Sequence, residues 1–120
     1  MMVSDPERFI EEKLQKRFLS INTVRDALLA SMIIALQRSE EARNGQKLDE
    51  TLRISLAAEL RKKMVEICEA EKIPTEYPTL DQLRRLRAKL EEAFGINRLD
   101  PPILDAHRRR CDQLFAKGEE

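Results

Sequence analysis

Between positions 27 and 36 the chain reads ALLASMIIAL, with Ser31 as the sole polar residue. Successive helical residues are turned by about 100°, so the apolar side chains of this run point in every direction. A helix that is apolar all round must be enclosed by neighbours. The run falls short of the roughly 20 residues a membrane span requires. The pattern predicts a central helix over 23–44, about 33 Å long, capped by Asn22 or Thr23 and closed by Gly45. Positions 37–44 are almost wholly polar and are expected to project past the core.

Helical spacing recurs on both sides of this centre. Ile10, Leu14 and Phe18 stand four apart with Phe9 beside them, which predicts a first helix over 5–19. Ser4-Asp5-Pro6-Glu7 before it has the form of a capping box with Ser4 as the cap. A third helix, 49–72, carries Leu52, Leu56, Leu60, Met64, Ile67 and Cys68 on one stripe. Ile54, Ala57, Ala58 and Val65 widen its apolar arc past half the circumference, so heavy burial is expected. Because the remaining helices are shorter with narrower stripes, part of helices two and three is expected to stay uncovered in a single copy. Only a few residues join helices two and three, which must then lie antiparallel as an αα-hairpin. Pro74 and Pro78 bracket a non-helical linker that holds Tyr77, the one tyrosine. Thr79 caps a fourth helix, 80–94, with a narrow seam of Leu80, Leu83, Leu86, Leu90 and Phe94, closed by Gly95. Asp100-Pro101-Pro102 opens a fifth, 101–116, whose stripe is Ile103, Leu104, His107, Cys111, Leu114 and Phe115. The predicted fold is all-α: one domain over 1–120, about five helices, with the hairpin of helices two and three as its spine.

Composition agrees with that pattern and narrows the function. No stretch alternates at period two for long enough to propose a strand. Charged residues make up 37% of the chain and hydrophobic ones 42%, which suits a heavily charged exterior around a real core. Lys+Arg and Asp+Glu are each 22, and a zero net charge argues against an extended nucleic-acid surface. The opening MMVSDPERF has no basic segment followed by an apolar one, so no secretory signal is expected. Cys68 and Cys111 both fall on apolar helix positions, which predicts buried, reduced thiols in the cytoplasm.

Candidate chemistry is sparse. His107, the sole histidine, stands one turn before Cys111, and a His and Cys at i, i+4 can share a metal, with Cys68 as a third ligand. A structural zinc site takes four ligands, and no further Cys or His exists. The preferred reading is a core histidine with one hydrogen-bond partner, and no metal, cofactor or catalytic residue is assigned. Glu66 and Glu69 have the spacing of a divalent-metal pair but lack a second acidic pair to face them. All three glycines sit at helix ends or in the tail, so no phosphate-cradling loop is present. Between 80 and 110 there are eight Lys/Arg against five Asp/Glu, a small local excess. Of these, Arg84, Arg87 and Arg110 flank apolar seams and are candidates, with Tyr77, to meet an anion or a partner.

These features favour a small non-enzymatic cytoplasmic interaction or adaptor protein that binds a partner protein, or itself as a homodimer, through helix faces. The alternative is a nucleic-acid-associated protein using the arginines of helices four and five. A third reading is an enzyme or metal protein centred on His107.

Overall fold

Enclosure of the second helix sets the architecture. A computed structural model describes residues 5–47 and 49–118, and among them there are five α-helices, one 3-10 turn and no strand. The helices are α1 (Pro6–Leu14), α2 (Ile21–Asn44), α3 (Glu50–Glu71), α4 (Leu80–Ala93) and α5 (Pro101–Lys117), with the 3-10 turn at Ile96–Arg98. All four other helices pack on α2, with α5 and α1 covering most of it. Val24, Ala27, Leu28, Ala30, Met32 and Ala35 are buried there, and so are both Ile33 and Ile34, which diverge around the helix. The apolar run is therefore enclosed by its own chain except at Leu29 and Leu36, which are half-buried beside α3.

Helix ends follow local chemistry, and two of them correct the sequence reading. Ser20, not Asn22 or Thr23, caps α2, its Oγ accepting from the Thr23 N–H at 3.3 Å. Asn22 is used elsewhere: its Oδ1 accepts from the Tyr77 N–H at 2.7 Å and pins the proline-bracketed linker. Gly45 closes α2 at φ +71°, the left-handed conformation glycine tolerates. Asp5 caps α1, accepting from the Arg8 N–H at 3.1 Å, whereas the proposed Ser4 cap lies outside the described residues. α1 stops at Leu14 instead of running to 19, and Phe18 is 64% exposed rather than part of a buried stripe. The cause is a tie to the far end of the chain. The Leu19 N–H donates to the Lys117 carbonyl at 3.0 Å, and Lys117 Nζ donates to the Lys16 carbonyl at 2.7 Å. Docked this way, the connection turns Leu19 inward and leaves Phe18 outside.

The other correction concerns α3. It forms the expected hairpin with α2. Only Ala57, Leu60, Met64 and Cys68 are buried on it, while Leu52 is 54%, Ile54 45% and Val65 39% exposed. The wide apolar arc is real, but the chain covers only its middle. α4 packs against α3 and α2, and α5 along α2, through Leu83, Leu86, Leu90, Leu104, Leu114 and Phe115.

Because Ile34 is buried by the chain's own helices, Ile34→Asp should unfold the domain. An unpaired carboxylate in an apolar core costs several kcal/mol, against a total stability of about 5–15 kcal/mol. Circular dichroism and urea titration read this directly, and a folded, monomeric variant would show that this face of α2 is open.

Candidate functional site

Ser31 is the one polar residue inside the apolar run of α2, and it is fully buried. A buried hydroxyl must be hydrogen-bonded or it costs free energy. α5 brings His107, also fully buried, so that Nδ1 lies 2.8 Å from Ser31 Oγ. The other ring nitrogen, Nε2, lies 2.8 Å from Oε2 of Glu91 on α4. Two arginines close the ends of this line. Arg110 Nε donates to Ser31 Oγ at 2.8 Å and its Nη2 to the Ser31 carbonyl at 3.1 Å. Arg87 Nε donates to the same Glu91 oxygen at 2.9 Å, and its guanidinium lies over the Phe115 ring. No buried side-chain nitrogen or oxygen among the described residues is left without a partner.

Helix periodicity places each member. Arg87 and Glu91 stand one turn apart on α4, beside the buried Leu83, Leu86 and Leu90. His107 and Cys111 stand one turn apart on α5, with Cys111 Sγ 3.7 Å from His107 Nε2. The ligand atoms of Glu91, His107 and Cys111 all lie within 4.8 Å of one another. Cys68, the third ligand considered from the sequence, is not in this group; it is buried on α3 within the field of Arg25.

The charges follow from these contacts. Burial alone would push the Glu91 carboxyl up, but the hydrogen bonds from His107 and Arg87, and the charge of Arg87, hold it below the ordinary range. An ionised Glu91 only accepts, so the proton between it and the ring belongs to His107 Nε2. Burial pushes the Cys111 thiol up to about 11, so it is neutral at physiological pH. Serine, histidine and carboxylate stand in line as in a hydrolase triad. Yet Ser31 is sealed between α2 and α5 and its oxygen is occupied by Arg110, so the geometry does not present it to a substrate.

The residues singled out from the sequence are divided by the fold. Arg84 and Arg87 line one cleft of about 440 Å³ between α4 and α5, together with Glu91, Asp112 and Phe115. Arg84 pairs with Asp81 at 3.0 Å, and Arg87 pairs with Glu91 and with Asp112, the latter at 3.7 Å. Arg110 sits on the other flank of α5, engaged with Ser31. Tyr77 does not line the cleft; it is 76% exposed, with its backbone at φ +55°. The residues that sequence reasoning missed are Glu91 and the role of Ser31. The hint available was Ser31 itself, a lone hydroxyl in a run where nothing else is polar.

Glu91→Gln should destabilise the domain by about 1–3 kcal/mol at neutral pH, since it removes a charged acceptor shared by two donors. The folded carboxyl titrates below its unfolded value of 4.5, so its contribution is full above that pH and is lost as the pH falls through the lower folded value. Urea titrations of both proteins between pH 7 and 3 should therefore converge on the acid side. On the alkaline side the unfolded thiol ionises near 9.0 while Cys111 keeps its proton to about 11, so stability should fall from about pH 9 upward and do so less in Cys111→Ala.

No protein-family profile matches the sequence, and no curated protein and no solved structure matches it either.

Proposed function

We propose that the chain is a small non-enzymatic interaction protein of the cytoplasm, and that its first partner is a second copy of itself. The observation that carries this reading is the uncovered flank of α3, where Ile54 and Val65 stand exposed with the small, exposed Ala58 between them. Ile54 and Val65 are three helical turns apart, about 16 Å along one face. Beside them runs a groove between α2 and α3 of about 250 Å³, lined by Leu29, Ile33, Met64 and Val65 and rimmed by Arg25 and Glu76. Exposed apolar patches of this kind mark interaction surfaces. The order large, small, large reads alike in both directions. Two α3 helices crossing antiparallel with the two-fold axis between positions 59 and 60 set Ile54 of one against Val65 of the other, with Ala58 beside the crossing point.

Other observations fit this reading better than its rivals. Of the arginines of helices four and five, Arg84, Arg87 and Arg110 are engaged by Asp81, by Glu91 and Asp112, and by Ser31, while Arg85, Arg108 and Arg109 are exposed. Buried free thiols at Cys68 and Cys111 suit a reducing compartment. No helix among the described residues is long and apolar enough to cross a membrane.

Light scattering at micromolar concentration should give twice the 14.0 kDa of the chain. Ile54→Glu and Val65→Glu should each halve that mass. Both are surface positions of the single copy, so its own stability should change by no more than about 0.5 kcal/mol. A mass of 14.0 kDa for the unaltered chain at every dilution would refute the proposal.

A further inference from the structure

We propose that Glu91, His107 and Cys111 form a binding site for a divalent transition cation of the zinc class. Imidazole, thiolate and carboxylate are the ligands that zinc takes, and three protein ligands with a fourth position open to water is a recurrent arrangement for it. With bonds of about 2.0 Å to nitrogen and oxygen and 2.3 Å to sulfur, a tetrahedral ion sets the nitrogen–sulfur separation at about 3.6 Å and nitrogen–oxygen at about 3.3 Å. The structure has Cys111 Sγ 3.7 Å from His107 Nε2 and 3.8 Å from Nδ1, so the sulfur stands beside the ring and must swing toward Glu91 by about 2 Å to reach an ion on the Nε2 lone pair. His107 Nε2 and Glu91 Oε2 are 2.8 Å apart, held by a shared proton, and need to separate by only about half an ångström when the metal takes that proton's place.

The supporting residues also fit. A metal-bound histidine needs its second nitrogen tied to a polar group, and Nδ1 is already 2.8 Å from Ser31 Oγ, itself anchored by Arg110. Glu91 is oriented by Arg87. On coordination the imidazole stays neutral, its proton moving from Nε2 to Nδ1 to face Ser31, and the Cys111 thiol releases one proton. Thiolate and carboxylate then cancel the charge of the ion, so Arg87 meets no new net cation. Of the three ligands Glu91 alone lines the cleft of about 440 Å³ between α4 and α5, and His107 and Cys111 are fully buried, so the ion enters past the Glu91 side chain. This site is separate from the α3 surface and stands or falls independently of it.

Cobalt(II) titrated into the full chain under reducing conditions tests the site, because a thiolate ligand gives a sulfur-to-cobalt charge-transfer band and a tetrahedral site gives strong visible bands. One equivalent of cobalt should produce both, and one equivalent of zinc should abolish both and raise the melting temperature. Cys111→Ala should lose the charge-transfer band, Glu91→Gln should keep it but weaken binding by about tenfold or more, and Cys68→Ala should bind as the unaltered chain does. The unaltered chain decides the matter even where a variant fails to fold. Absence of the bands there, their persistence in folded Cys111→Ala, or their loss in folded Cys68→Ala overturns the proposal.

Discussion

A hydroxyl and an imidazole withdrawn from water must find partners, and in this bundle Ser31 of α2 and His107 of α5 find each other at 2.8 Å. The apolar contacts around them are tolerant of sliding, since one leucine packs much like another. The hydrogen bond is not, because a shift of α5 by one residue along α2 leaves two polar groups buried and unpaired, at about 1–3 kcal/mol each. From that pair the line extends to Glu91 and Arg87 on α4 and to Arg110 on α5. Three helices are thus held in one register by a chain of polar contacts through an otherwise apolar centre. The contacts are fully satisfied, the condition under which a buried polar network specifies a structure instead of weakening it.

That chain has a chemical side as well. Arginines pin the relay at both ends, and Ser31 and His107 are sealed from solvent, so no substrate atom can approach the serine. The relay still leaves Glu91 on the wall of a cleft and the Cys111 sulfur beside the ring. The proposed cation site draws on the same contacts that set the register in the free chain. The α3 flank obeys a different logic: apolar positions there are set by the sequence for burial, and the chain supplies no neighbour to bury them.

Helix number, order and approximate bounds were legible in the sequence because they depend on local spacing, caps and breakers. Thr79 with Gln82, Gly45, Gly95 and the paired prolines at 101 and 102 all stand where the spacing predicts. The failures came where a distant group intervened. Residues 15–20 leave the helix because Lys117, a hundred positions away, engages them, and no local pattern encodes that contact. The site failed to emerge for the same reason. His107 and Cys111 are visible as an i, i+4 pair, but which of 22 carboxylates faces the ring depends on how α4 docks on α5. Ser31 and Glu91 are 60 positions apart and meet only through His107. That part of the long spine would stay uncovered in a single copy was legible too, since the other helices are shorter and their stripes narrower, but spacing does not say what covers it.

The central claim, that His107 is the buried junction of the α2, α4 and α5 register, is tested most directly by nitrogen-15 NMR of the imidazole in metal-free protein. The geometry predicts a protonated Nε2 whose proton lies downfield, couples through space to Glu91 and exchanges slowly with solvent. A bare Nε2, or a ring proton that exchanges as fast as in an exposed histidine, would contradict the account.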